Sequence, residues 1–273
     1  VLIPSVDWWI TSHCNLACDF CYGPEPGRDQ RSLHDAILEA INASSTDAVT
    51  FCGGEPLLVR ELPEYARFLT TKHKRVVLNT NGLLLRRQFT RRDFPFDVVG
   101  LSIEGSTEDV HRAMRGAKAN LPEVLAAAAF VSALPGVSLK VATVVSAVNK
   151  ADLENLATMV RERIKPDVWR LYQYSSRGPV NKGQARHRLN AEEFALLAES
   201  TAKAAHPVKV VPSSEDANVG CLIVDMRGDV LQPVADGYRI LGNCLRQPID
   251  EIFQSSSDFV SMVVQNKRWL SVL

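Results

Sequence analysis

Residues 5–22 read SVDWWITSHCNLACDFCY, and this stretch decides both the fold and the chemistry. Ser5 to Thr11 is rich in β-branched and aromatic residues, which predicts a strand. The chain then places three thiols, Cys14, Cys18 and Cys21, in the spacing Cys-x-x-x-Cys-x-x-Cys, with Phe20 and Tyr22 flanking the last. Parallel α/β architectures form their sites on loops at the carboxyl ends of strands, where residues vary without disturbing the packed core.

Thiolates are soft donors that select zinc, copper(I) or iron–sulfur clusters. A closed structural zinc site takes four protein ligands, yet no second Cys-x-x-Cys pair and no His-x-x-x-His follows. A cluster on three cysteines keeps one iron open for a ligand that is also a reactant. The bland reading of the same residues is a zinc knuckle or an oxidised pair.

Outward from this loop, Leu33, Ile37, Leu38 and Ile41 have helical spacing, and Ala48 to Cys52 predicts a second strand. That strand runs into Gly53-Gly54-Glu55-Pro56, so a second motif lies at a strand's carboxyl end, with glycines that let the backbone approach a ligand closely. The alternation repeats: helix 62–72, strands 75–78 and 97–103, helix 121–134, strand 138–145, helix 150–163, strand 167–172 and helix 192–203. Alternating strands and helices imply a parallel sheet with right-handed crossovers. The expected fold is α/β, a partial (β/α)6 barrel of TIM type over residues 1–205. Beyond it, Val208 to Val211, Leu222 to Val224 and Asp229 to Leu231 are short and β-like, with a turn at Arg227-Gly228. They predict a small C-terminal β-hairpin extension, residues 206–273, covering the barrel mouth and containing a helix near 249–253.

The 31 basic and 31 acidic side chains cancel, so no global field favours nucleic acid or an anionic membrane. No apolar run reaches the length of a membrane span. No signal peptide is expected, because Val1 to Ile10 is short and holds Asp7. Six cysteines in 273 residues are too sparse for a disulfide scaffold and read as reduced thiols, so a cytoplasmic enzyme is expected.

Cys14-Asn-Leu-Ala-Cys18-Asp-Phe-Cys21-Tyr resembles the cluster loop of the radical S-adenosylmethionine (radical SAM) superfamily, and Cys52-Gly53-Gly54-Glu55-Pro56 resembles its Gly-Gly-Glu-Pro motif. Asn79-Thr80-Asn81-Gly82, Leu101-Ser102-Ile103-Glu104-Gly105 and His111-Arg112-Ala113-Met114-Arg115-Gly116 resemble later family segments in the same order. The resemblance implies a [4Fe-4S] cluster on the three cysteines and SAM chelated to the open iron. It further implies a reducing partner such as flavodoxin or ferredoxin. Reductive cleavage would then give methionine and a 5′-deoxyadenosyl radical that takes a hydrogen atom from the substrate. For SAM it implies contacts from Phe20, Tyr22, Gly53, Gly54 and Glu55, and a polar contact from Asn79 or Asn81. Ser102 and Glu104 would bind the ribose, and Arg115 the carboxylate. Glu104 stands where the family more commonly has Asp. The bland alternatives are a hairpin turn at Asn81-Gly82, a capped turn at Ser102 to Glu104, and a surface arginine at 115.

A weaker resemblance to the viperin-like nucleotide dehydratases lies in Gln173 to Phe194 and in the short extension without cluster cysteines. It implies a nucleotide or another small polar substrate. The phosphates would be held by Arg28 or by Arg177, Lys182 and Arg186 of the basic loop 175–188, whose bland reading is solvated surface. The Arg112 to Val145 segment and the hairpin suggest instead a peptide or natural-product substrate. Cys221 and Cys244 cannot supply the ligands of an auxiliary cluster. They read as buried apolar cysteines, with hydrogen-atom donation to a substrate radical as the sharper alternative. A non-catalytic iron–sulfur or zinc module is a third reading, against which stands the retained Gly53-Gly54-Glu55, since a mere carrier needs no SAM site.

Overall fold

Trp8 shows which way the first strand faces. Strand β1 (Val6–Thr11) puts this indole against His34 of helix α1 (His34–Ala43) and Tyr65 of helix α2 (Leu62–Thr71). Side chains alternate along a strand, so Val6, Trp8 and Ile10 face the helices while Asp7, Trp9 and Thr11 face the other way. The computed structural model describes residues 3–27, 29–215 and 221–265.

Strands β2 (Ala48–Gly53), β3 (Arg75–Thr80), β4 (Val98–Ser102), β5 (Ser138–Val145) and β6 (Val168–Gln173) follow β1 as parallel neighbours. Between them run α1, α2, the short α3 (Leu85–Gln88), α4 (Glu108–Arg115), α5 (Leu121–Ser132) and α6 (Leu153–Met159); α7 (Ala191–Ala205) follows β6. Pro122 inside the first turn of α5 and the Asn120 side chain accepting from the Glu123 amide set that helix's start. Its apolar face, Val124, Ala127, Ala128 and Val131, joins Val99, Leu101 and Val141 of the sheet in one continuous core. Each fully buried aliphatic side chain there contributes about 1.5–3 kcal/mol.

The register carries the facing of β1 across the sheet: Asp7 lies beside Thr50, Thr50 beside Val77, and Asn79 beside Gly100, which neighbours Lys140. Ala142, two residues on from Lys140, lies beside Arg170. Burial pushes the Asp7 carboxyl on β1 up, and the charges of Lys140 on β5 and Arg170 on β6 are near enough to oppose that. Strands that far apart in the order interact only if the sheet curls, so these residues line a concave inner face. The sheet remains open, in the order β10-β9-β8-β1-β2-β3-β4-β5-β6-β7.

Past residue 205 the outcome differs from the sequence expectation. Strand β7 (Val210–Ser213) does not join the hairpin region; it pairs parallel with β6, because α7 makes one more crossover of the same kind. Strand β8 (Leu222–Val224) pairs parallel with β1 at the opposite edge, and β9 (Asp229–Val234) and β10 (Gly237–Asn243) extend it as antiparallel neighbours. The hairpin is thus part of the same sheet. Helices α8 (Ile249–Gln254) and α9 (Ser257–Gln265) follow. Among the described residues no helix is long and apolar enough to cross a membrane.

Candidate functional site

At the carboxyl ends of β1 and β2 the backbone ladder continues past the strands. The Gly54 amide donates to the Thr11 carbonyl at 2.7 Å and the Glu55 amide to the His13 carbonyl at 2.8 Å. A Cβ on Gly54 would collide with the His13 carbonyl, and Gly53 has φ +117°, a region that glycine alone enters cheaply. The two glycines therefore seat the root of the cysteine loop against β2. Glu55 is buried beneath it, and its carboxylate accepts from the Thr80 hydroxyl at 2.6 Å, the Leu57 amide at 3.1 Å and the Asn81 amide at 2.9 Å. Burial pushes its carboxyl up, against these hydrogen bonds and the Arg115 charge. Asn81 is no hairpin residue: Gly82 turns the chain away from the strand at φ +83°. The Asn81 side chain donates to Asn15 Oδ1 at 2.7 Å, backing the first half of the loop.

The three thiols differ in setting. Cys14 is exposed, Cys21 half-buried and Cys18 buried. The Leu16 amide points at Cys14 Sγ and the Gly23 amide at Cys21 Sγ, each at 3.4 Å, and Cys18 Sγ lies 3.5 Å from the Arg115 carbonyl. Burial pushes the Cys18 thiol up to about 11, opposed by the Arg115 charge. Among the described residues no three Cys, His, Asp or Glu side chains converge on the position of a single metal ion. A cluster binds each thiolate to a separate iron and does not require that convergence. The donor set fits such a group: three thiols on one loop, with amides directed at two sulfurs. Arg115 adds a guanidinium whose Nε is buried without a protein hydrogen-bond partner.

Arg115 and Glu104 meet each other. Arg115 Nη1 lies 2.8 Å from Glu104 Oε1, both side chains nearly sealed from water, and Glu104 Oε2 accepts from the Val144 amide at 2.7 Å. Glu104 is a buried tie between the ends of β4 and β5, whereas Ser102 stays half-buried at the strand end. The Arg115 guanidinium carbon stands 5.9 Å from the centre of the Phe20 ring. Phe20 is buried, while Tyr22 is exposed at the rim, its carbonyl accepting from the Tyr238 hydroxyl of β10 at 2.6 Å.

The expected substrate cations are deployed elsewhere. Arg177 is buried and donates to the carbonyls of Val234 at 2.8 Å and Glu215 at 2.6 Å, so it ties the loop to the hairpin. Arg186 is paired with Asp19 of the cysteine loop, its Nε 2.8 Å from Oδ2. Lys182 is exposed, and Arg28 lies outside the described residues. Cys244 packs in the main core, with Val224, Val230 and Ile252, and burial pushes its thiol up to about 12. Cys221 instead packs with Cys52 and Tyr238 against Trp9, Ile223, Met226 and Leu231 on the inner side of β1 and β8.

The cations that do line the inner face are Lys140 and Arg170, which sequence reading missed. Arg170 Nη2 donates to the Ser213 hydroxyl at 2.7 Å, and its guanidinium carbon lies 5.0 Å from the Tyr172 ring centre. Burial, then the neighbouring Arg170 charge, lowers the Lys140 ammonium to about 8, with Asp7 and Cys52 opposing. Burial pushes the Asp7 carboxyl up, against Lys140, a hydrogen bond from Thr50, and Arg170. Among the described residues, Lys140, Arg170 and Asp7 therefore act on one another's charge on this part of the face. Gly100 makes the room: a Cβ there would strike Asn79 Oδ1 and stand 2.7 Å from Lys140 Cε. The available signal was a charge at an alternating position inside an otherwise apolar strand, as in SLKVATVV and VWRLYQ.

Residues 9–160, more than half of the chain, match the family model of the radical SAM superfamily, and the chain belongs to that superfamily. Membership implies SAM and a [4Fe-4S] cluster as cofactors. The chain is 28% identical to an S-adenosylmethionine-dependent nucleotide dehydratase of Lacinutrix mariniflava, over 93% of this chain and 55% of that protein. It is 24% identical to one of Selenomonas ruminantium, over 91% of this chain and 93% of that protein. Several curated relatives are longer, and the chain spans 31–56% of their length. Streptococcus suis SuiB, solved with its precursor peptide SuiA, superposes with a TM-score of 0.76 at 12% identity over 96% of this chain and 67% of that one, a likeness of fold.

Proposed function

We propose that this enzyme acts on a small anionic substrate, a nucleotide, bound against the inner face of the sheet with its phosphates on Lys140 and Arg170. The observation that carries the reading is this pair of cations on β5 and β6, which share a face of the sheet with Asp7 of β1 and lie close enough for their charges to act on its carboxyl. A guanidinium and an ammonium held close together are costly to bury, and the oxygens of a phosphate chain can accept charge-assisted hydrogen bonds from both. The two nucleotide dehydratases similar along most of this chain support the same substrate class.

In this reading Cys14, Cys18 and Cys21 hold the cluster. Gly53, Gly54, Asn79, Ser102 and the Arg115 guanidinium form the surface for SAM, and Phe20 and Tyr22 border it. Glu55 and Glu104 act mainly by fixing the backbone around it, since their oxygens are already engaged. When bound, SAM on the cluster supplies a 5′-deoxyadenosyl radical upon one-electron reduction. The protein's share is placement and dryness: Trp9, Cys52, Cys221 and Tyr238 wall the concavity with apolar surface, and the cations fix the substrate's anionic end.

The test is 5′-deoxyadenosine formation by the anaerobically reconstituted, reduced protein, with and without each common nucleoside triphosphate. One triphosphate stimulating cleavage at least tenfold, and failing to do so in Lys140→Ala, is the expected result. Cleavage indifferent to every nucleotide would reject the substrate class and redirect the search to peptides.

A further inference from the structure

The connection from β6 to α7 runs from Tyr174 to Asn190, far longer than the roughly 2–6 residues usual between a strand and its helix. Its ends are tied together by Gln173 Nε2 donating to the Leu189 carbonyl at 3.1 Å. Apart from Arg177, which ties the segment to the hairpin, the length in between is used chiefly on the Cys18–Cys21 half of the cysteine loop. Asn181, fully buried, donates from Nδ2 to the Phe20 carbonyl at 2.9 Å and to the Ser175 carbonyl at 2.7 Å. Arg186 grips Asp19 from outside, with its Nη2 also 3.3 Å from the Ala113 carbonyl. His187, fully buried, holds the other Asp19 oxygen at 2.9 Å through Nε2, while its Nδ1 lies 3.2 Å from Ser146 Oγ. The His187 ring also stands edge-on to Phe20 at 5.8 Å. Gly178 presses so closely that a Cβ there would lie 2.5 Å from Tyr22 Cα and 2.7 Å from the Cys21 carbonyl.

Each of residues 19 to 22 thus receives a contact from this connection, whereas the Cys14 half leans on Asn81 instead. We propose that Tyr174–Asn190 is a strap that pre-sets the Cys18–Cys21 turn before any cluster is loaded, with Asn181, Arg186 and His187 as its positioning residues. A short loop bearing two cysteines has many conformations, and ligands already held in place lose less entropy when the cluster is inserted. Two of the segment's basic residues, Arg186 and His187, thus serve Asp19 at the cluster loop.

The test uses the full chain in two states. In the cluster-free protein, amide exchange over residues 18–22 is compared in wild type, Arg186→Ala, Asp19→Asn and His187→Ala. After anaerobic reconstitution, iron release to a chelator is timed. Arg186 is largely exposed, so its loss leaves the core packing untouched. The expected result is exchange over 18–22 and iron release each about tenfold faster in Arg186→Ala and Asp19→Asn, with exchange elsewhere in the sheet unchanged. His187→Gln, which keeps a donor near the Nε2 position, should recover most of the loss seen in His187→Ala. Lys182→Ala, on the same segment without contact to the loop, should match wild type. Unchanged exchange and iron release in Arg186→Ala and Asp19→Asn would overturn the proposal. So would faster exchange spread evenly over the whole sheet, which marks an ordinary structural loop.

Discussion

Raising the pH from 7 to 9 removes the charge from Lys140 and spares that of Arg170, since an arginine stays protonated throughout. With the Lys140 ammonium at about 8, roughly nine-tenths of it is charged at pH 7 and about one-tenth at pH 9. If the charged form is the one that binds phosphate, nucleotide affinity falls about tenfold over this interval, or ~1.4 kcal/mol. The substrate's own charge hardly changes there, because a terminal phosphate has its second ionisation near pH ~6. Stability moves the other way. The unfolded lysine titrates at the ordinary value of 10.5 and the folded one at about 8. Between those values the unfolded state holds a proton that the folded state lacks, so folding stability rises with pH by up to ~3 kcal/mol. Isothermal titration with the stimulating triphosphate at pH 7, 8 and 9, alongside urea unfolding at the same values, separates the two effects. Lys140→Arg should bind with no pH dependence. An affinity that is flat in the wild type, or that falls equally in Lys140→Arg, would refute the assignment.

Other perturbations test the scaffold around the site. Glu104→Gln removes the partner of the buried Arg115 guanidinium and should cost about 3–5 kcal/mol in urea unfolding of the cluster-free protein. Gly100→Ala meets only the flexible ends of Asn79 and Lys140, so the melting temperature should shift by no more than a few degrees while nucleotide affinity drops severalfold; intact affinity would separate Lys140 from the substrate. Burial, then Arg115 and Arg112, lowers His111 to about 3, and its Nδ1 accepts from the Glu104 amide at 3.2 Å. The unfolded chain therefore takes up a proton below pH 6.5 that the folded state refuses, and stability falls by about 1.4 kcal/mol per pH unit from this residue alone as pH drops toward 3. His111→Asn should lose that one-proton slope, as measured by unfolding between pH 6 and 4.5.

Much of the architecture was legible because it is written in local patterns. Strand–helix alternation over β1 to β6, the three thiols after β1 and the glycine pair after β2 all depend on neighbours within a few residues. The misreadings concern partners far apart in the chain. Arg177, Arg186 and Lys182 look like a cationic clamp in one dimension, yet two of them are engaged by carbonyls and a carboxylate that folding brings beside them. Val208 to Val211 resembled the hairpin strands that follow it in composition, and only the crossover geometry of α7 assigned strand β7 to β6.

The sequence by itself determined the chemistry that can be performed: a loop of three soft ligands at a strand end is spelled in consecutive residues, and the glycine pair that seats it ends the next strand. Only the tertiary structure decided what that chemistry faces. Lys140, Arg170 and Asp7 meet because the sheet curls until strands β1, β5 and β6 share one concavity, and Glu104 is tied to Arg115 because the ends of β4 and α4 converge. Curvature is a sum of small twists over many paired strands and the helices packed behind them, so no single stretch of sequence carries it.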